Sequence, residues 1–280
     1  MSKDLLPLLP LQQIIKKYNL IAEKSLGQNF LLDTNLINKI TSQAGNIEGE
    51  TIIEIGPGPG GLTRSILQKN PQHLIVIERD KRCIPILEEI SAAYPNKLTI
   101  ISADALTVNF EQLAQNCANK PKIIANLPYN IGTQLLVNWL LTSDCHAFYK
   151  DMTLMFQKEV AERITAKVNT EKYGRLSLLA NWKTINKICL TLPPSAFTPP
   201  PKVNSAVVFL KPKENPIAVD AKIFDKIVKM AFGQKRKMLR QSLKSINAND
   251  ILPKLNIDPQ RRAETLTLEE FIAIIKAVSD

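Results

Sequence analysis

The chain has 280 residues, of which 45% are hydrophobic and 22% charged, a composition typical of globular proteins with a packed core. It contains no apolar run of about 20 residues, and its Pro-broken start, DLLPLLPL, is too short for a membrane helix and lacks a cleavage site of small residues, so we expect a soluble cytoplasmic protein without membrane association. The net charge of +10 and the pI near 9.4 favour a polyanionic partner, above all nucleic acid.

Strand and helix signals alternate from residue 11 onward. Residues 11–22 have a mixed helical pattern, and DTNLINKI (33–40) predicts a helix capped by Asp33 or Thr34. Apolar strands are then predicted at 51–56, 73–80, 97–106 and 121–130, with helices at 62–70 and 81–94. Near-continuous Ile and Val runs that alternate with helices indicate an α/β fold with a parallel sheet covered on both faces.

The pattern changes in the later part of the chain. Segments 132–141, 152–164 and 206–210 continue the layered domain, whereas the polar stretch 211–222 has the composition of a linker. Only helical patterns follow it. We therefore predict an α/β domain at 1–210, with an N-terminal helical extension, and a small all-α domain at 211–280. The second domain is denser in positive charge, with 14 Lys and Arg against 9 Asp and Glu.

Metal and disulfide chemistry are not expected. The four cysteines are far apart in sequence, form no C-x-x-C pair, and are accompanied by only two histidines. We interpret them as free thiols in a reducing cytosol and predict no metal site.

The glycine-rich stretch IIEIGPGPGGLT (52–63) follows the first sheet strand and fits two cofactor patterns. Its glycines match G-x-G-x-x-G, a dinucleotide fingerprint, and also G-x-G-x-G, a turn that holds S-adenosylmethionine. Pro57 and Pro59 remove two backbone N–H donors of the kind that a pyrophosphate needs. The loop therefore favours S-adenosylmethionine without excluding an NAD enzyme.

Acidic residues lie at the ends of the next two strands, where open α/β sheets bind their ligands. Glu78, 22 residues after Gly56, is suitably placed to accept hydrogen bonds from ribose hydroxyls in either cofactor class. Asp104 is suitably placed to accept from the amino group of adenine. Each acid alone is equally consistent with a helix cap, but both together after a glycine loop indicate a nucleoside site.

The segment NLPY (126–129) ends the fourth strand and resembles the N-P-P-Y signature of methyltransferases that act on exocyclic amino groups. Adenine N6 is a poor nucleophile because its lone pair is delocalised into the ring. Acceptors at the Asn126 side-chain oxygen and at a backbone carbonyl of Leu127 or Pro128 would draw this nitrogen towards tetrahedral geometry. Tyr129 offers a flat face for the base, and positioning replaces a strong general base.

Ordered motifs from residue 23 to 271 resemble the KsgA-type ribosomal RNA adenine dimethyltransferases. The motifs are EKSLGQNFLLD (23–33), EIGPGPGGLT (54–63), NLPYNIGT (126–133), FQKEVAERI (156–164), YGRLSLL (173–179), PPSAFTPPPKVNSAVV (193–208), FGQKRKMLRQSL (232–243) and RAETLTLEEF (262–271). The resemblance implies a Rossmann-like class I methyltransferase domain with a mostly parallel sheet. It also implies dimethylation at N6 of two adjacent adenosines in a terminal hairpin loop of small-subunit rRNA.

The resemblance also implies roles for individual residues. The residues expected to bind S-adenosylmethionine are Asn29, Leu31, Gly56, Glu78, Asp104 and Asn126. Phe197, in S-A-F, is expected to face the target base opposite Tyr129. The expected products are methylated rRNA and S-adenosylhomocysteine, and the expected partner of the monomeric protein is small-subunit rRNA or the immature small subunit.

A basic segment from residue 226 to 249 carries seven Lys and Arg and no acid. Helical spacing places Arg236, Arg240 and Lys244 on one face. The segment is interpreted either as a solvated amphipathic helix or as a surface that tracks phosphates, and the net charge with the base-methylating motif favours the latter. The residues predicted to bind RNA are Lys235, Arg236, Lys237, Arg240 and Lys244.

Three alternatives remain at this point. An erythromycin-resistance-type methyltransferase has similar motifs but modifies large-subunit rRNA, and the C-terminal FGQKRKMLRQSL and RAETLTLEEF favour the small-subunit type over it. An NAD oxidoreductase fits the formal glycine pattern but leaves NLPY unexplained. An RNA-binding assembly factor without turnover fits the charge alone.

Overall fold

The structure is a computed structural model that describes residues 8–23, 26–142, 148–234 and 236–279. Its strands are β1 (Phe30–Leu31), β2 (Thr51–Ile55), β3 (His73–Glu78), β4 (Leu98–Ser102), β5 (Lys122–Asn126), β6 (Met152–Gln157), β7 (Thr184–Leu192), β8 (Phe197–Thr198) and β9 (Ser205–Pro212). Its helices are α1 (Leu11–Lys17), α2 (Thr34–Ser42), α3 (Gly61–Leu67), α4 (Ile84–Ala93), α5 (Phe110–Gln115), α6 (Gly132–Leu141), α7 (Lys158–Ile164), α8 (Arg175–Lys183), α9 (Ala221–Gly233), α10 (Leu239–Ser242), α11 (Ala248–Lys254) and α12 (Leu268–Ser279).

Among the described residues, seven strands form one mixed sheet in the order β4-β3-β2-β5-β6-β9-β7. The neighbours from β4 to β6 are parallel, and β9 runs antiparallel to β6. Every residue of β2 is buried, as expected for a central strand covered on both faces. The predicted α/β architecture with a mostly parallel sheet is confirmed.

The four strands predicted for the first half are present, but β4 and β5 end earlier than the sequence pattern suggested. After β4, the Asp104 carboxylate accepts from the Leu106 amide and forms a turn instead of continuing the strand. After β5, Pro128 has no N–H to donate to a ladder. The cap of α2 is Asp33, whose carboxylate accepts from the Asn35 and Leu36 amides.

Strand β7 was not predicted. It lies at the edge of the sheet, and Ile185 is 65% exposed on it, so its sequence lacks the continuous apolar pattern of the central strands. The short strands β1 and β8 pair with each other in a separate antiparallel ladder that sets Leu31 opposite Phe197.

The chain divides into two compact units. The first contains the described residues within 1–136, 146–161 and 187–211, and the second those within 137–145, 162–186 and 212–280. In the second unit, the Trp182 ring stacks on Phe224 at 4.2 Å, and the Tyr173 hydroxyl donates to the Leu266 carbonyl. The C-terminal region is helical as predicted, whereas the domain boundary after residue 210 stays a prediction.

A buried carboxyl group lies inside the first unit, on β2. Glu54 is 1% exposed, and its Oε2 accepts from the Thr63 hydroxyl of α3 at 2.7 Å. Burial is the main cause that raises the pKa of this carboxyl to about 8, with a smaller contribution from the nearby charge of Glu78. Glu54 is therefore a neutral acid in the folded protein over most of the physiological range.

We expect Glu54→Gln to stabilise the protein progressively, relative to wild type, as pH rises from about 5 to about 8. Below the ordinary Glu pKa of 4.5 the carboxyl is protonated in both states, whereas between 4.5 and about 8 only the unfolded chain ionises. Stability contributed by the protonated carboxyl is thus lost over that range, by at most about 1.4 kcal/mol per pH unit. Urea unfolding across the range measures the difference, and a pH-independent difference would contradict the expectation.

Candidate active site

A cavity of the first unit lies at the carboxyl ends of β2, β3, β4 and β5. Each of these strands delivers one predicted site residue to the cavity wall. These are Gly56, Glu78, Asp104 and Asn126. Asn29 and Leu31 line the cavity as well, and so do Leu127, Pro128 and Tyr129. The fold therefore gathers in one place all residues predicted to bind the cofactor and all predicted catalytic residues except Phe197.

Glu78 ties the glycine loop to the end of β3. Its Oε2 accepts from the Gly58 amide at 2.9 Å, and its Oε1 accepts from the Asp80 amide at 2.7 Å. The residue is only 6% exposed, and burial raises the pKa of its carboxyl against the opposing effect of these amides. Because a carboxylate has about four acceptor sites, each oxygen can accept a further bond from a ligand.

The loop itself needs glycine at three positions, of which Gly60 has a φ of 80° and would bring a Cβ into steric overlap with the Ile90 side chain. Gly56 and Gly58 both have positive φ, at 65° and 55°. A Cβ on Gly56 would approach the Pro128 ring to 3.3 Å, and one on Gly58 would lie 3.4 Å from the Phe30 ring. The loop is thus packed between the NLPY turn and β1.

Asp104 faces the cavity from the turn after β4. Its Oδ2 pairs with the Arg79 guanidinium at 3.0 Å, and its Oδ1 accepts from the Leu106 amide. The Arg79 side chain is 66% exposed, so this is a pair at the cavity rim rather than a buried one.

The titratable groups around the cavity are mostly acidic, and of these acids Glu54 is neutral. The described lining contains the carboxyl groups of Glu54, Glu78, Asp80 and Asp104 but only the guanidinium of Arg79. Such a wall suits a cationic sulfonium compound with ribose hydroxyls and an adenine amino group. It does not suit the pyrophosphate of a dinucleotide, which needs donors and positive charge. The donor and acceptor set therefore fits S-adenosylmethionine.

The NLPY turn forms the opposite wall. The Asn126 side-chain nitrogen donates to the Asn29 carbonyl at 3.4 Å, so its Oδ1 is the free acceptor. The Pro128 carbonyl accepts from the Ile131 and Gly132 amides, which begin α6. Both lone pairs of this carbonyl are thus engaged, which leaves the Leu127 carbonyl as the second acceptor for a substrate amine.

Tyr129 is held by a residue that sequence reasoning missed. Its hydroxyl forms a short hydrogen bond with the Ser205 hydroxyl, and Ser205 is fully buried at the start of β9. Burial raises the pKa of the Tyr129 phenol. The ring is therefore neutral and fixed in orientation, although 76 residues separate the two partners in sequence.

Phe197 lies elsewhere. It is 3% exposed, pairs with Leu31 across the β1–β8 ladder, and belongs to the hydrophobic core. It is not among the described residues that line the cavity. A role for Phe197 at the target base stays a prediction.

Gln28 and Asp80 are further wall residues that sequence reasoning did not single out. The Gln28 side chain donates to the Asp80 carboxylate at 2.8 Å. Arg82 also binds that carboxylate, and this bond is the main cause that lowers the pKa of Asp80 to about 2. The only signals in the sequence were the positions of Gln28 beside Asn29 and of Asp80 after Glu78.

The prediction that Arg236, Arg240 and Lys244 lie on one face of a single helix was wrong. Helix α9 ends at Gly233, and α10 begins only at Leu239. The Leu239 and Arg240 amides donate to the Arg261 and Pro259 carbonyls, so the backbone leaves the helix to pair with another segment. Lys244 lies in a short 3-10 turn.

The basic side chains of this segment are nevertheless on the surface. Arg236, Lys237, Arg240 and Lys244 are exposed, whereas Leu239 and Leu243 are fully buried beneath them. Lys235, also predicted to bind RNA, lies outside the described residues.

Neither a metal site nor a membrane helix is present among the described residues. No group of three or more His, Cys, Asp and Glu is arranged to hold a metal ion. No described helix is long and apolar enough to cross a membrane.

Comparison with known proteins gives consistent matches over nearly the whole chain. Ribosomal RNA small subunit methyltransferase A of Bartonella bacilliformis is 56% identical over 274 residues, which are 98% of this chain and 98% of that protein. The protein of the same name from Brucella anthropi is 54% identical over 277 residues, covering 99% and 98%. The crystal structure of a dimethyladenosine transferase from Plasmodium falciparum is 26% identical with a TM-score of 0.74, covering 88% of this chain and 96% of that one.

A family model extends these matches from single proteins to a defined family. The model described as ribosomal RNA adenine dimethylase matches residues 19–280. The match includes the strand ends around the acidic cavity, the NLPY turn and the exposed basic segment. The resemblance seen in the motifs is therefore confirmed, and the chain belongs to the ribosomal RNA adenine dimethylase family.

Proposed function

We propose that the protein transfers methyl groups from S-adenosylmethionine to N6 of two adjacent adenosines in a hairpin loop near the 3′ end of small-subunit (16S) rRNA. The products are N6,N6-dimethyladenosine and S-adenosylhomocysteine. The observation that carries the proposal is the single cavity whose one wall is acidic and whose other wall is the NLPY turn. The reaction belongs to the biogenesis of the small subunit, in the cytoplasm, and the enzyme works as a monomer.

The acidic wall holds the cofactor. Glu78 accepts from the ribose hydroxyls with the acceptor sites that the Gly58 and Asp80 amides leave open. Asp104 accepts from the adenine amino group, and Asn29 and Leu31 close the site from the β1 side. When bound, S-adenosylmethionine supplies an electrophilic methyl group on a sulfonium centre.

The NLPY wall prepares the nucleophile. In the first transfer the Asn126 Oδ1 and the Leu127 carbonyl accept from the two hydrogens of the adenine amine, which draws the nitrogen towards tetrahedral geometry and directs its lone pair at the methyl group. In the second transfer the methylated amine has one hydrogen left for one of these acceptors, and each transfer releases one proton from the nitrogen to solvent. The Tyr129 ring, fixed by Ser205, stacks on the base. Such stacking contributes about 1–3 kcal/mol, which offsets part of the cost of taking the base out of its stack.

The alternatives fit less well. The carboxylates of the cavity would repel the pyrophosphate of NAD. Relatives at 54% and 56% identity carry small-subunit names, which favours the small-subunit substrate over that of the erythromycin-resistance type. An assembly factor without turnover would have no need for a free Asn126 acceptor beside a cofactor cavity.

Incubation of the enzyme and S-adenosylmethionine with small-subunit and large-subunit particles in separate reactions tests the function directly. We expect nucleoside mass spectrometry to find dimethyladenosine in the small-subunit rRNA only. Modification confined to the large subunit would support the erythromycin-resistance type, and absence of any transfer would support the assembly factor.

Asn126→Ala is expected to lower the rate of methyl transfer strongly while the thermal unfolding midpoint stays near that of wild type. Loss of an acceptor aimed at the reacting group typically lowers kcat about 10²–10³-fold. Asn126→Asp is the matched variant, because it keeps an oxygen at the acceptor position, and it should retain more activity than Asn126→Ala. Near-normal turnover by Asn126→Ala would overturn the role given to this residue.

Replacing Arg236, Arg240 and Lys244 together with Ala should weaken RNA binding and leave cofactor affinity unchanged. If all three contact phosphates, the plot of log affinity against log salt concentration should become less steep, with the magnitude of its slope smaller by roughly 2–3. Replacing the exposed residues Lys16, Lys39 and Lys120 of the first unit is the matched control for net charge. An equal effect of the two triple variants, or a loss of cofactor binding, would count against this surface.

A further inference from the structure

Asp80 is the centre of a buried hydrogen-bond network at the cavity wall. Its side chain is 5% exposed, and both of its carboxylate oxygens bind the Arg82 guanidinium, at 2.9 and 2.6 Å. Its Oδ2 also accepts from the Gln28 side chain at 2.8 Å. This pairing satisfies the buried charge, as the lowered pKa of Asp80 reflects.

The network joins two parts of the cavity wall that are distant in sequence. Through its backbone amide, Asp80 donates to Glu78 Oε1, the proposed ribose acceptor. Through its carboxylate, Asp80 holds Gln28, the neighbour of Asn29. The Asn29 carbonyl in turn accepts from Asn126. Three predicted site residues are therefore connected through Asp80: Glu78 through the backbone amide, and Asn29 and Asn126 through the carboxylate and Gln28.

A second set of contacts holds residues 21–23, which precede the Gln28–Asn29 segment in the chain. The Arg82 guanidinium pairs with Glu23 at 2.9 Å and donates to the Ile21 carbonyl. The Glu23 amide donates to the side-chain oxygen of Gln28. Among the described residues, Gln28 is thus bound through both ends of its amide.

We propose that Asp80 is a positioning residue that fixes the Gln28–Asn29 segment against the cavity and so sets the affinity for S-adenosylmethionine. The inference rests on the proposed function. The Asp80 carboxylate acts through Gln28 and does not take part in the methyl transfer. Its loss should therefore raise the cofactor Kd and leave kcat at saturating cofactor nearly unchanged.

Asp80→Asn tests the inference in the full-length protein. We expect calorimetry without RNA to give a Kd for S-adenosylmethionine at least tenfold above wild type, with kcat at saturating cofactor within about twofold. In the cofactor-free protein, amide hydrogen exchange of residues 26–31 should be faster than in wild type. Asp225→Asn is the matched control, since Asp225 is held by Arg175 and Lys229 in the second unit, and it should change neither quantity.

Gln28→Glu provides an isosteric variant if Asp80→Asn fails to fold. It places a second carboxylate at 2.8 Å from Asp80, among the charged groups of Arg82, Glu23 and Glu78 and beside the Cys83 thiol. The Kd of the Gln28→Glu variant for S-adenosylmethionine should be well above the wild-type Kd at pH 8. The ratio of the two Kd values should fall towards one at pH 5.5. At the lower pH the new carboxyl is protonated and donates to Asp80.

The outcomes separate the two proposals. If wild type does not bind S-adenosylmethionine, the proposed function fails. If wild type binds it and the folded Asp80→Asn and Gln28→Glu variants bind equally well, Asp80 has no positioning role. A fall in kcat at saturating cofactor with an unchanged Kd would also overturn the inference.

Discussion

The site depends on one buried carboxylate, Glu78, and on the two backbone amides that it accepts from. The Gly58 bond connects the glycine loop after β2 to the end of β3, and the Asp80 bond fixes the carboxylate within its own segment, so the loop conformation is set by the neighbouring strand. Hydrogen bonds to a charged acceptor are stronger than neutral ones and offset part of the cost of burial. Burial still prevails in its effect on the pKa of Glu78, which is raised. The carboxylate therefore gains from any further donor, such as a ribose hydroxyl.

The distribution of charge separates the two ligands that the reaction needs. The chain as a whole carries a net charge of +10, but the described titratable residues of the cavity are one arginine and four acids, of which only Glu54 is neutral. A polyanion is drawn to the exposed lysines and arginines and repelled from the cofactor wall, whereas a sulfonium cation is attracted to that wall. The backbone phosphates of a nucleotide must therefore stay outside the cavity while its base reaches the NLPY turn.

Much of this arrangement was predictable because parallel strands with continuous Ile and Val runs place their carboxyl ends at one edge. Glu78 and Asp104 could be found on that ground alone. The Gln28–Asp80 bond could not, since it joins residues 52 apart whose meeting depends on the tertiary fold. The helix expected through Arg240 was wrong for a similar reason, because backbone bonds to residues 259 and 261 compete with local helix formation. Periodicity records local preference and is insensitive to such distant partners.

The anchoring of Tyr129 by Ser205 has a consequence for the order in which the site is assembled. All described residues that line the cofactor cavity lie between positions 26 and 131, in the first half of the chain. The hydroxyl that fixes the Tyr129 ring belongs to Ser205 on β9, the strand that is antiparallel to its neighbour β6. On a translating ribosome, the walls for the cofactor are therefore synthesised well before the support for the base, and the nascent protein lacks a fixed stacking ring until β9 is added to the sheet.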